Sequence, residues 1–239
     1  TRKGWLTAER LGTRSWYGLT PRGRKLLESG RERIYRPTSD ASWDGKWSVI
    51  VFSVPEARRR LRDALRVRLS WLGCGLLTSG AWISPHDVRA EVLEIAAELK
   101  LARNVEIFRG EHLAHSSPER LVAQCWDLAG LDRRYAAFIS RWSREFEHCT
   151  QCGMTGARAG IHKPCTAPAD CFRRRFLLVH EYRAFPLEDP LLPGPLLPAG
   201  WNGKAAARLF ETYHDVLAGP AERFVADVCA EGDEIVAAA

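Results

Sequence analysis

The sequence predicts an α+β fold, and three features point to it. Between residues 45 and 112, strand-like and helix-like stretches follow one another in the order βαββαβ. From Pro118 onward, apolar residues recur mainly at helical spacing. Residues 1–36 read as a short hairpin followed by a capped helix. These features divide the chain into an N-terminal segment at 1–36, a middle domain at 45–112 and a mostly helical C-terminal domain at 117–239.

Gly4 to Arg10 and Arg14 to Leu19 are the first two expected strands, with Leu11-Gly12-Thr13 as the turn between them. Thr20 is a good N-cap and Pro21 suits the first helical position, so a helix starts there, with Leu26, Leu27 and Ile34 on its apolar side. A basic hairpin followed by a capped basic helix resembles the wing and following helix of a winged helix-turn-helix domain. The helices that enter the major groove in such a domain would lie before Thr1, so 1–36 is expected to be its remnant. Pro37 to Asp44 is a polar linker.

In the middle domain, Trp47 to Ser53 is a strand and Pro55 to Leu72 a helix, with Leu61, Leu65, Leu69 and Leu72 three or four residues apart. Gly75 to Leu77 and Ala81 to Ser84 are strands around Ser79-Gly80. His86 to Leu101 is a second helix carrying Val88, Val92, Ile95, Ala96 and Leu99, and Asn104 to Phe108 is a last strand. This order is that of a ferredoxin-like domain. Beyond Pro118, Leu131, Tyr135, Phe138, Ile139, Trp142 and Phe146 mark one helix face, best read as core packing. Residues 148–171 contain a Gly-, Cys- and Pro-rich insertion. Cys171 to Phe185 resumes as a helix, Pro186 to Trp201 is a proline-rich loop, and Lys204 to Ala230 is helical again.

Residues 1–36 hold ten Lys and Arg against three Glu, a net charge of +7, whereas the other 203 residues carry −1. A basic end on a near-neutral body is the electrostatic footprint of nucleic-acid contact, and equally of a solvated terminus. No apolar run reaches the length of a membrane span, and the opening residues lack a signal-peptide core. The expected location is therefore the cytoplasm. Four of the seven cysteines fall within 23 residues, a clustering that in a reducing compartment points to a metal and not to disulfides.

Several stretches resemble the PaaX family, repressors of bacterial phenylacetate catabolism. Gly12-Thr-Arg-Ser-Trp-Tyr-Gly-Leu-Thr-Pro-Arg-Gly23 is similar to that family's wing and helix start, and Arg33-Ile-Tyr-Arg-Pro37 with Trp43-Asp-Gly-Lys-Trp47 to the approach to its middle domain. Val51-Phe-Ser-Val-Pro-Glu56 and Gly80-Ala-Trp-Ile-Ser-Pro85 resemble the first and third strands of that domain. Phe172 to Arg183, Asp189-Pro-Leu-Leu-Pro193 and Leu196-Leu-Pro-Ala-Gly-Trp201 resemble its C-terminal domain. The resemblance implies a homodimeric repressor that binds double-stranded DNA and is released by an aromatic acyl-CoA, typically phenylacetyl-CoA. The cysteine-rich insertion departs from the family pattern.

Candidate sites follow. Arg10 and Arg14 flank the hairpin turn, where a wing reaches the minor groove or phosphates, and Arg22 and Lys25 lie on the following helix. The plainer reading leaves these side chains solvated or paired with Glu28 and Glu32. Arg183 suits bidentate contact with an acyl-CoA phosphate, or pairs structurally with Asp189; Trp142 and Trp201 are candidate pocket-lining residues. Cys149, Cys152, Cys165 and Cys171 are candidate ligands of one Zn²⁺, or of an iron–sulfur cluster, with His148 or His162 as substitutes. The plainer alternative is free or disulfide-forming thiols. The arginine run from Arg58 to Arg68 reads as a solvated helix face. The middle domain also resembles the Cas2 nucleases, which need an Asp at the end of the first strand. Here that strand ends Phe52-Ser53-Val54, which argues against a nuclease.

Three functions compete: an effector-controlled DNA-binding repressor, a metal-containing sensor or partner-binding protein without DNA binding, and an enzyme built on an iron–sulfur or zinc centre. Beside the cysteines there is no nucleophile–base set and no phosphate-cradling glycine loop, so the repressor reading leads and no catalytic residues are assigned.

Overall fold

The structure is a computed structural model, and it describes residues 4–11, 14–35, 42–113, 117–157 and 167–237. The chain forms two compact units, Thr1–Pro37 and Thr38–Ala239.

In the first unit, strand β1 (Leu6–Leu11) pairs antiparallel with β2 (Arg14–Leu19), in a register that sets Leu6 opposite Leu19 and Arg10 opposite Ser15. The expected turn at Gly12-Thr13 lies outside the described residues. Helix α1 (Pro21–Ile34) follows at once. Its N-cap is Thr20, whose hydroxyl oxygen accepts from the Gly23 amide at 3.0 Å and whose hydroxyl lies 2.8 Å from the Gly4 carbonyl oxygen. Gly23 is buried here because the chain passes so close: a Cβ would stand 2.2 Å from the Trp5 carbonyl oxygen. Leu26 and Leu27, on the apolar side of the helix, are 47% and 58% exposed.

The second unit opens with β3 (Lys46–Phe52), a 3₁₀ turn at Glu56–Arg58, and helix α2 (Arg59–Trp71). Strands β4 (Gly75–Thr78) and β5 (Ala81–Ser84), helix α3 (Arg89–Glu98) and strand β6 (Val105–Glu111) complete the middle region. The sheet order is β4-β5-β3-β6, with every neighbouring pair antiparallel. That is the split βαβ topology of a ferredoxin-like domain. One face packs Ile50, Phe52 and Trp82 against Leu65 and Leu69 of α2 and Val92 and Ala96 of α3. Each of the leucine, isoleucine, valine and phenylalanine side chains contributes about 1.5–3 kcal/mol on full burial. The arginines of α2 sit on its outer side: Arg62 pairs with Glu56 at 2.8 Å, and Arg66 donates to the Ser79 carbonyl at 2.7 Å.

The opposite face of the sheet is covered too. Trp47, Val49 and Ile83 pack against Val122 of α4 (Pro118–Cys125), Leu128 of α5 (Leu128–Ala157), and Leu192 and Leu196 of the following loop region. Helix α6 (Pro168–Tyr182), the short α7 (Phe185–Glu188) and α8 (Gly203–Ala237) complete the helical region. Its centre is aromatic. Phe138, Tyr182, Phe210 and Tyr213 are all nearly buried, and Tyr182 stacks on Phe210 with ring centroids 3.9 Å apart. The stripe read on α5 is core, with Leu131, Tyr135, Phe138 and Trp142 at most 7% exposed.

One expectation changes. The Cys-rich stretch was expected to be irregular from residue 148, but α5 continues to Ala157. Cys149 and Cys152 therefore lie about one turn apart on a helix. Two glycines, Gly153 and Gly156, each cost such a helix about 1 kcal/mol, which a helix of 30 residues tolerates. Among the described residues, no helix is long and apolar enough to cross a membrane.

Candidate functional site

The hairpin register places Arg10 opposite Ser15 and Arg14 opposite Leu11, so the two arginine positions alternate between the faces of the ribbon. Arg10, Arg22 and Lys25 are exposed, while the side chain of Arg14 lies outside what the structure describes. The first unit thus displays basic residues on the hairpin and on α1, beside exposed Trp16 and Tyr17.

Of the four candidate metal ligands, the side chains of Cys149 on α5 and Cys171 on α6 are described. Cys171 is buried, at 2% exposure. Burial raises the Cys149 thiol above its ordinary value, and the neighbouring Cys171 raises it further. The side chain of Cys152 and all of Cys165 lie outside the described residues, as does His162; no group of three or more metal-binding side chains forms among those described.

The three residues expected at an effector site are spread apart in role. Trp142 is 3% exposed and its Nε1 donates to Glu181 at 3.1 Å, so it packs the core. Arg183 is exposed and donates to the His180 carbonyl at 3.3 Å; Asp189, its suggested partner, is engaged elsewhere. Trp201 meets the Tyr135 ring edge-on at 5.6 Å and lines a small cleft with Asp189, Leu191 and Lys204.

Two larger cavities flank the corner at Trp126-Asp127-Leu128, between α4 and α5. The first, of about 560 Å³, is lined by Trp126, Leu131, Arg133, Arg134, Glu188 and Pro190. The second, of about 550 Å³, is more apolar and lined by Val122, Cys125, Trp126, Leu196, Leu197 and Pro198. Trp126 is fixed by a hydrogen bond from its Nε1 to the Gly73 carbonyl at 3.2 Å and by contact with Gly75. Burial pushes the Cys125 thiol up to about 11, so it stays protonated near neutral pH. Asp127 accepts from the Gly130 amide at 2.8 Å and so caps the start of α5.

Beside the first cavity lies a polar cluster the sequence did not signal. The Tyr135 hydroxyl donates to Asp189 at 2.7 Å, and the other Asp189 oxygen accepts from the Leu191 amide at 2.7 Å. Burial raises the Asp189 carboxyl above its ordinary value, against the two hydrogen bonds, which lower it. Burial also pushes the Tyr135 hydroxyl well up, which keeps it a donor. Arg134 pairs with Glu188 and lies over the Phe185 ring at 5.5 Å. Tyr135 read as one residue of a core stripe, Asp189 as part of a proline-rich loop. Only their meeting across 54 residues gives them a common role, and no spacing rule reports such a meeting.

Comparison with known proteins places these regions. Residues 40–122 match the family described as the PaaX protein central Cas2-like domain, and residues 126–227 match the PaaX-like protein C-terminal domain. Over 229 residues the chain is 31% identical to the transcriptional repressor PaaX of Escherichia coli (strain K12), a match covering 95% of this chain and 68% of that protein. Among solved structures, the uncharacterized protein Rv0674 from Mycobacterium tuberculosis is similar, with a TM-score of 0.55 and 22% identity. That match covers 92% of this chain and 77% of the other, and it speaks to the fold alone.

Proposed function

The chain belongs to the PaaX family, and from that premise we propose that it is a DNA-binding transcriptional repressor of aromatic-acid catabolism genes, released by an aromatic acyl-CoA such as phenylacetyl-CoA. The observation that carries the DNA half is the charge division: +7 on residues 1–36, −1 on the rest. A basic hairpin and helix serve phosphate contact, with Arg10, Arg14, Arg22 and Lys25 as the contacting side chains and the hairpin as the wing of a winged helix. The protein works in the cytoplasm as a homodimer matched to a two-fold operator. Replacing both Arg10 and Arg14 with Ala should weaken operator binding and lower the salt slope by roughly two, as read by fluorescence anisotropy across a salt series. Unchanged affinity and slope would remove the wing assignment. Light scattering that finds only monomer at micromolar concentration would remove the dimer.

The effector half is supported by the corner at Trp126-Asp127-Leu128. An acyl-CoA has anionic phosphates and an apolar acyl end, and the two cavities offer Arg133 and Arg134 on one side and Leu196, Leu197 and Val122 on the other. Calorimetry with phenylacetyl-CoA should show saturable heat. A second reading concerns the cysteines: Cys149 and Cys171 are neighbouring thiols on α5 and α6, an arrangement that suits a shared Zn²⁺. Elemental analysis finding about one zinc per chain supports it, iron with sulfide replaces it by a cluster, and neither metal removes it.

A further inference from the structure

A line of hydrogen bonds runs from the residue after Pro190, in the lining of the first cavity, to Asp44, the last residue of the polar linker. It begins at Leu191, whose φ of 53° puts a branched side chain in the left-handed region that favours glycine. Asp189 holds the Leu191 amide at 2.7 Å, and the Leu191 carbonyl lies 2.9 Å from His86 Nε2. The His86 amide donates to the Ser84 hydroxyl at 3.1 Å, and its carbonyl accepts from the Ser48 hydroxyl at 2.8 Å. Arg109 donates to the Ser48 hydroxyl at 3.0 Å and, with its other terminal nitrogen, to Asp44 at 3.0 Å. Asp44 in turn accepts from the Lys46 amide at 3.0 Å. Ser48 and Ser84, at 1% and 0% exposure, are the buried polar side chains among the described residues, and both bond to the backbone of His86. A core that keeps its polar groups for one connection makes that connection costly to rearrange piecemeal.

At the cavity end, Arg134 is held by Glu188, the residue before Asp189. The two side chains are 46% and 52% exposed, so the pair is weak and open to competition. A phosphate is a better bidentate partner for a guanidinium than a half-exposed carboxylate.

We propose that Glu188 is a displaceable occupant of an anion site on Arg134. Its displacement by a ligand phosphate frees the 188–191 segment, lets Leu191 leave its strained conformation, and is transmitted through His86, Ser48 and Arg109 to Asp44 at the linker. This rests on the effector reading for its ligand, while the connection itself is testable without one. A strained residue held by two hydrogen bonds is the kind of element that has two settings, and the middle of the line passes through the buried Ser48 and Ser84.

The test is hydrogen exchange on the full chain, following the Leu191 and Lys46 amides in the absence of ligand. Glu188→Ala, at an exposed position, should speed exchange at both amides. In a His86→Phe background, the same change should still act at Leu191 but no longer reach Lys46. Ser48→Ala breaks the line at a second point and serves if His86→Phe does not fold. A Lys46 amide that ignores Glu188→Ala, or responds equally in the His86→Phe or Ser48→Ala background, overturns the connection. Calorimetry with phenylacetyl-CoA should show about two- to fivefold tighter binding to Glu188→Ala, the scale of one exposed ion pair. Binding of unchanged strength overturns the displacement. Absence of heat for parent and variant alike overturns the effector reading, while the connection then stands or falls on Lys46 alone.

Discussion

Gly75 leaves no room for a side chain. A Cβ there would lie 2.6 Å from the Trp126 ring and 2.7 Å from the Cys125 Cβ, groups held by the sheet and by α4. Gly75→Ala should therefore force the corner away from β4, at a cost of about 1–3 kcal/mol in urea unfolding, and disturb both cavities that Trp126 lines. A result within a few tenths of a kcal/mol would show the corner to be free to move. His214 gives the pH dependence. Burial lowers its pKa from the ordinary 6.5, and the Arg175 guanidinium lowers it further, outweighing Asp215 and Glu222. Arg175 Nε donates to His214 Nε2 at 3.0 Å, which requires the neutral ring. Folding thus favours the neutral form, and the unfolded chain takes up the proton first as pH falls. The stability is fully present above the unfolded value of 6.5 and is lost as pH falls through it toward the lower folded value. His214→Gln keeps an acceptor for Arg175 and cannot titrate. Its urea midpoint should change less than the parent's between pH 7.5 and 5.5; equal changes would assign the dependence to other groups.

At the scale of elements, α8 shows packing overriding propensity. Pro220 lies inside the helix, where it lacks an amide hydrogen and its ring crowds the carbonyl four residues back. Leu217 and Ala221 on either side are at most 1% exposed, so the buried face holds the helix together across the break. Pro220→Ala should then stabilise the protein, by up to about 3 kcal/mol in urea unfolding. Destabilisation would mean that the packing depends on a bend at this point. The same contest decides what could be read in the sequence. The strands were legible because Trp47 to Ser53 and Ala81 to Ser84 are short apolar runs bounded by turn residues, and they occur within about a residue of those bounds. The helix around Leu61, Leu65 and Leu69 was legible by its spacing, though its first turn is a 3₁₀ turn at Glu56–Arg58. The end of α5 was not legible. Glycines, threonine and cysteines suggest a loop, and only the continuation of the helix from its aromatic face carries it to Ala157. Asp189, Tyr135 and His86 were illegible as a group, because each joins the others through contacts made 54 or 105 residues apart.

At the scale of the whole molecule, charge and folding divide at the same place. The unit Thr38–Ala239 contains both faces of the four-stranded sheet, the helices that cover them and the aromatic centre of the helical region. Among the described residues, the clusters on both faces of its sheet are built from its own side chains, which is what a domain needs to fold alone. The first unit carries the excess positive charge: residues 1–36 hold +7, and without them the chain carries −1. Nonspecific affinity for DNA comes from cations that displace condensed counterions, and a body with a net negative charge gains little of it. Removing residues 1–37 should consequently separate two properties. The shortened protein should keep its cooperative thermal unfolding by circular dichroism, and its heat of binding with phenylacetyl-CoA should match that of the full chain. Its affinity for duplex DNA at low salt should fall to background in fluorescence anisotropy. Retained DNA affinity would place the contacting cations on the second unit, whose Arg59, Arg62, Arg66 and Arg68 on α2 are engaged with Asp63, Glu56, the Ser79 carbonyl and Glu98. Loss of cooperative unfolding would show instead that the two units stabilise one another, and the division of charge would then not be a division of function.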